Sequence, residues 1–205
     1  ALDKCGIQNW IIVGMWVGVT FYEIPITTTD IDIAIFTSIE ERSKLENLIH
    51  TLREMFRIEV SAWRLLAYLD VKGFIHLTPK DKDILLRVDI INIDEHTEFY
   101  DLWLEALDSR LEVSWEGHRI YIPTLEHWIA LKLASFRSKD KLQLITMFTY
   151  YSQLGRKISM EDLEDILGRY KEIGERWIEL LSIVKQDHRL CISNDGYIVQ
   201  CKDNQ

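Results

Sequence analysis

Residues Asp30 to Phe36 read Asp-Ile-Asp-Ile-Ala-Ile-Phe, an alternation of period two that an extended strand sorts onto two faces. Ile31, Ile33 and Ile35 fall on one face, and Asp30, Asp32 and Ala34 on the other. The segment commits the chain to a sheet whose two sides differ in polarity. Two ionised carboxylates projecting together repel unless a cation lies between them. A hard divalent ion is one answer, because Mg²⁺ prefers oxygen ligands and is usually held by one or two carboxylates with substrate phosphates. The plain alternative is that both acids face water on the solvated side of an edge strand.

A third acid bears on that choice. Asp89 sits in Leu85-Leu86-Arg87-Val88-Asp89-Ile90-Ile91, and charged groups are rarely placed in so apolar a strand without a partner. An adjacent strand would bring it beside Asp30 and Asp32. Three convergent acids could hold two metal ions and activate an attacking hydroxyl for in-line displacement at a phosphate. Arg87 shares the face of Asp89, and a salt bridge between them would make Asp89 structural instead. Upstream, Asn9 to Val13 reads as a short strand ending at Gly14, with a short helix over Met15 to Tyr22. A glycine at such a junction lets backbone N–H groups approach a phosphate.

The other elements follow from punctuation and period. Thr37-Ser38 with Glu40-Glu41 reads as a helix start, and Leu45, Leu48, Ile49 and Leu52 supply an apolar stripe reaching about Phe56. Val60 to Tyr68 is either a second helix or an irregular apolar segment. Gly73–Thr78 and Ile84–Ile93 read as strands around a charged turn, followed by a helix over Glu95–Leu107 and a hairpin turning at Glu116-Gly117. From Pro123 the period becomes helical: Thr124 caps a first helix, and others cover about 139–153, 159–171 and 174–185, with Ser159 and Asp162 placed as a capping box. Asn194-Asp195-Gly196 signals a C-terminal hairpin. The expected class is α/β (α+β): a core over 1–123, a helical region over 124–190 and a tail over 191–205.

Composition bounds the function. The 205 residues carry a formal net charge of −9, which argues against a surface built to coat nucleic acid. The acidity is uneven: between Thr124 and Ile158, Lys132, Arg137, Lys139, Lys141, Arg156 and Lys157 outnumber Glu126 and Asp140, and an RNA end could be held around Lys132–Lys141. Cys5, Cys191 and Cys201 fit no metal-ligand spacing and are expected to be reduced thiols in the cytoplasm, with a Cys191–Cys201 pair as the alternative. A two-residue turn at Asp195-Gly196 would set Cys191 opposite Gln200. The six histidines show no zinc pattern, and neither a P-loop nor a dinucleotide-binding glycine fingerprint is present. No apolar run is long enough to span a bilayer, so no membrane partner is expected.

Ile11-Ile12-Val13-Gly14-Met15-Trp16, Thr28-Thr29-Asp30-Ile31-Asp32-Ile33 and Val88-Asp89-Ile90, in that order, resemble the nucleotidyltransferase superfamily. There a strand ends in Gly-Gly or Gly-Ser, an Asp-x-Asp strand follows, and a third Asp lies on a neighbouring strand. Leu125-Glu126, Leu131-Lys132-Leu133 and Arg137-Ser138-Lys139-Asp140 are similar to the Lys-rich motif of toxin-type (AbiEii-like) and related prokaryotic members. The resemblance spans about Cys5 to Ser152. It implies a mixed sheet with flanking helices and Mg²⁺ or Mn²⁺ on Asp30, Asp32 and Asp89. The donor would be an NTP such as ATP, bound at Gly14, Met15, Thr28, Lys132, Arg137 and Lys139, and an NMP group would pass to a hydroxyl on RNA, protein or a small molecule. Met15 departs from the family's Gly or Ser, and Ile26 from its common Arg. Those departures leave open a degenerate nucleotide-binding or partner-binding module, for example a toxin–antitoxin-like component.

Overall fold

The alternating segment forms strand β2 (Asp30–Phe36), flanked by β1 (Trp10–Val13) and β5 (Arg87–Ile93). With β4 (Phe74–Pro79) and β3 (Phe56–Ile58) they make a five-stranded sheet ordered β1-β2-β5-β4-β3. The computed structural model describes residues 1–37, 42–53, 56–58, 74–81 and 83–201. The chain divides into two units, Ala1–Val17 with Thr28–Pro123, and Gly18–Thr27 with Thr124–Gln205. Residues 18–27 thus belong with the helical half. The Val60–Tyr68 segment lies outside the described residues.

In the first unit β2 and β5 run parallel, while every other pairing in the sheet is antiparallel. A parallel pair needs a crossover, and helix α2 (Arg42–Leu52) lies within it. Its stripe of Leu45, Leu48, Ile49 and Leu52 is buried as expected. Leu48 and Leu52 line a cavity of about 370 Å³ with Trp10, Ile33, Leu77, Val88 and Ile90. That cavity marks the apolar face of the sheet. Helix α1 (Gly14–Thr20) follows β1 directly. The hairpin of β6 (Leu111–Trp115) and β7 (His118–Ile122) turns through Glu116 and Gly117, both at positive φ, which suits a tight two-residue turn. It packs by edge-to-face rings, Trp115 on Trp16 and Tyr121 on Trp10, each pair at 5.2 Å.

Of the boundaries that differ from the sequence reading, two have a local reason. Helix α2 ends at Leu52, and Phe56–Ile58 pairs with Leu77–Pro79 as a strand instead of prolonging the helix. Helix α3 spans Tyr100–Asp108 and does not begin at Glu95. Residues 94–97 form a turn first: His96 N donates to Asp94 Oδ1 at 3.0 Å, and Asp94 N donates to Thr97 Oγ1 at 3.1 Å. Such side-chain bonds offer the backbone an alternative to helix.

The second unit contains α4 (Leu125–Ser135), α5 (Ser138–Leu154), α6 (Met160–Arg169) and α7 (Lys171–His188). Thr124 caps α4 by accepting from His127 N. The expected box at Ser159 does not form: Ser159 N donates to Glu126 Oε1, and Ser159 Oγ turns to Asp162 Oδ2. Arg176 closes the end of α4 by donating to the carbonyls of Leu133 and Ala134, satisfying acceptors that a helix terminus leaves unpaired.

The tail pairs β8 (Leu190–Ile192) with β9 (Ile198–Gln200) in a register one residue off the expected one, with Cys191 opposite Val199. The cause is the turn: Ser193 N donates to Tyr197 O, leaving three residues in the loop, with Gly196 at φ +81. A one-residue slip reverses every side chain, so Cys201 joins Cys191 on one face. The two form a disulfide with Cα atoms 5.1 Å apart, which corrects the expectation of reduced thiols. Closing so short a loop stabilises by roughly 2–3 kcal/mol in the chain-entropy picture. Unfolding free energies from denaturant curves with and without reductant should differ by that amount for wild type and not at all for Cys201→Ser.

Candidate active site

The register that builds the sheet also gathers the acids. Asp32 is the cross-strand partner of Asp89, and Asp30 is the partner of Arg87. On the far side of β5, His76 is the partner of Asp89. Directly paired residues share a face, as do residues two apart. Asp30, Asp32, Arg87, Asp89 and His76 therefore project together, opposite the face that carries Ile33, Val88 and Ile90. The cavity under α2 is lined from that apolar face and does not coincide with the acids.

Each carboxylate has a distinct setting. Asp89 is 5% exposed, and its Oδ1 accepts from His76 Nδ1 at 2.7 Å. Arg87 Nε lies 3.7 Å from the same oxygen, while Arg87 Nη2 donates to Asp30 Oδ2 at 3.1 Å. The guanidinium thus spans two of the three acids. The alternative pairing of Arg87 with Asp89 is the longer of its two contacts, and the shorter is to Asp30. Thr29 Oγ1 donates to Asp30 Oδ1, and Thr28 Oγ1 donates to the Asp30 carbonyl, both at 3.4 Å.

Asp32 lies against Gly14. A Cβ built on Gly14 would stand 1.9 Å from Asp32 Oδ2 and 2.8 Å from Asp32 Cγ, and Gly14 has φ +74. The strand–helix junction needs glycine because the carboxylate occupies the space a side chain would take. The adjacent Met15 is buried at 5%, so its side chain serves the core.

The donor set suits a hard divalent ion: carboxylate oxygens from neighbouring strands, with one of them packed on bare backbone. In the conformation described, Asp30 and Asp89 are engaged by Arg87 and His76. Among the described residues no group of three or more His, Cys, Asp or Glu is arranged to hold a metal ion. Spacing alone does not single out His76 among six scattered histidines. The signal was its alternation with Ile75 and Leu77 on a strand beside the Asp89 strand.

The basic residues of the second unit are largely neutralised within it. Lys132 Nζ lies 3.3 Å from Asp140 Oδ1 and donates to Gln143 Oε1 at 2.7 Å. Arg137 Nε donates to Asp140 Oδ2 at 2.7 Å. Lys141 pairs with Glu179, and Arg156 with Glu23. Lys139 is exposed. Four of the six cations between Thr124 and Ile158 thus have carboxylate partners, and the local excess of positive charge does not form an open basic stripe.

A mixed sheet with acids on one face of its two central strands, followed by helices, has the nucleotidyltransferase-like fold. An antigenic nucleotidyltransferase-like protein from Paracoccidioides brasiliensis superposes with a TM-score of 0.53 at 13% identity, covering 91% of this chain and 84% of that one. The antibiotic-resistance factor ANT(2'')-Ia gives 0.46 at 16% identity over 87% of this chain and 88% of its own. A protein from Helicobacter pylori gives 0.42 at 16% identity over 91% and 77%. At such identities the likeness is one of fold, and it rests on the first of the three. By sequence, the chain matches no family profile and no curated protein. Among the described residues no helix is long and apolar enough to cross a membrane.

Proposed function

We propose that the first unit is a divalent-metal-dependent nucleotidyltransferase, moving an NMP group from an NTP to a hydroxyl acceptor with release of pyrophosphate. The observation that carries this reading is the register pairing Asp32 with Asp89, with Asp30 two residues away on the same face. Asp30 and Asp32 are the residues that would hold Mg²⁺ or Mn²⁺, joined by Asp89. When bound, such an ion would supply charge neutralisation at the phosphate. Asp89 takes the proton of the acceptor hydroxyl as the oxygen attacks the α-phosphorus. Gly14 keeps the Asp32 carboxylate in place by leaving it room.

A second reading is a nucleotide- or partner-binding module without transfer chemistry, such as one half of a toxin–antitoxin-like pair. The buried Met15 and the engagement of Asp30 and Asp89 by Arg87 and His76 favour it. One experiment separates the two. Labelled NTPs are incubated with Mg²⁺ and RNA, protein or small-molecule fractions, comparing wild type with Asp32→Asn. The enzyme reading expects transfer by wild type and a loss of at least ~10²-fold in the variant. Thermal shift adds a second readout, since a ligand at 100 times its Kd stabilises the folded state by about 2.7 kcal/mol. A Mg²⁺–NTP shift without transfer to any fraction selects the binding module, and the absence of both removes the enzyme reading.

A further inference from the structure

We propose that His76 is a positioning residue for Asp89, one that holds the carboxylate ready for metal and acceptor. This inference rests on the reading of the carboxylate site given above. The contact between His76 Nδ1 and Asp89 Oδ1 is 2.7 Å. An ionised carboxylate only accepts, so Nδ1 carries the hydrogen, and the tautomer follows from the partner. The histidine backbone is equally fixed, because β4 lies between β3 and β5 and its register sets His76 directly opposite Asp89.

Arg87 cannot do this work in the same way. Its Nε is 3.7 Å from Asp89 Oδ1, beyond hydrogen-bond range, and its closer contact is to Asp30. Its side chain is also 48% exposed. His76 can stay where it is. It bonds one oxygen of Asp89, and among the described residues no hydrogen bond engages the other. The carboxylate is thereby confined to one orientation with Oδ2 left for a metal ion or an acceptor hydroxyl. Outer-shell donors of this kind orient a carboxylate, and their loss typically reduces metal affinity or activity by 10–100-fold.

The test compares wild type, His76→Leu and His76→Asn, whose amide can donate from near the Nδ1 position. Mn²⁺ binding is read from the loss of the free-ion electron paramagnetic resonance signal, with and without a non-hydrolysable ATP analogue. Melting temperature and the separate kcat and KM of transfer are measured on the same samples. His76→Leu should weaken Mn²⁺ binding by about 10–100-fold and lower kcat with little change in KM. His76→Asn should recover most of both. Equal Mn²⁺ affinity in wild type and a folded His76→Leu protein would overturn the proposal. Equal loss in both variants at matched melting temperatures would also overturn it, because a donor at that position would then be irrelevant. If His76→Leu does not fold, His76→Asn against His76→Ala makes the same comparison. Should wild type itself bind no Mn²⁺ with or without the analogue, the carboxylate site fails as a metal site and the proposal falls with it.

Discussion

Gly14→Ala is expected to reduce nucleotidyl transfer by about 10²-fold while costing only ~1–2 kcal/mol of stability. Two effects act on the substitution and differ in size and place. The first is conformational: Gly14 holds φ +74, where an L residue pays a steric penalty of that order. The second is the overlap of the new methyl group with Asp32 Oδ2 at 1.9 Å. A carboxylate at the end of a side chain can rotate away from it, so the overlap is relieved cheaply in stability. It is relieved by moving the group on which the proposed site depends. A displacement of about an ångström at a reacting centre is enough for a hundredfold loss.

Gly155→Ala supplies the control. It has φ +62 and nothing within 4 Å of its built Cβ, so it should show the conformational cost without the loss of transfer. Denaturation curves and labelled transfer on both variants check this. Full activity of a folded Gly14→Ala protein would mean that Asp32 does not work from where it lies.

Which parts of this arrangement could be read from the sequence follows from what periodicity reports. Alternation along Asp30–Phe36 is local, and it correctly separates Ile31, Ile33 and Ile35 from the two acids. Hydrophobic spacing likewise identifies the buried side of α2, and Glu116-Gly117 identifies its own turn. Cross-strand register is different, because it depends on loop length. His76 faces Asp89 only through the particular geometry of the β4–β5 connection. Cys201 faces the same way as Cys191 only because the tail turns through three residues and not two. Partners brought together between helices escape for the same reason. Nothing local to Lys132 announces that Asp140 will meet it, and a lysine resembling a phosphate ligand is held by an ion pair of its own unit. Helix boundaries failed where side chains bonded backbone, as at Asp94 and Thr97, since propensity does not weigh that competition.

That ion pair carries the second large effect. Asp140→Ala is expected to destabilise the helical unit by about 3–5 kcal/mol, the range for removing one partner of a buried pair. Asp140 is fully buried, and it is met by Lys132 at 10% side-chain exposure and Arg137 at 59%. The asymmetry decides where the cost arises. Arg137 can return to water, so Arg137→Ala should cost no more than about 1 kcal/mol. Lys132 cannot, and without Asp140 its ammonium loses this carboxylate while Gln143 and the Trp128 ring, 5.6 Å away, remain. Lys132→Met removes the stranded charge, so combining it with Asp140→Leu should recover much of the loss.

The pH dependence has a definite sign. Burial alone would raise the Asp140 carboxyl, but the hydrogen bond from Arg137 and the charges of Lys132 and Arg137 outweigh it and hold the group below the ordinary range. A lowered folded-state value means the stabilisation is complete above the unfolded value of about 3.9 and is lost as pH falls through the folded one. Acid unfolding of wild type should therefore lose this contribution below about pH 4, and Asp140→Ala should lack that part of the acid limb. The same variants test the role that family resemblance gives Lys132. A Lys132→Met protein of nearly wild-type stability that has lost transfer would return the lysine to the triphosphate. Lost stability with transfer intact leaves it as the counter-ion of Asp140.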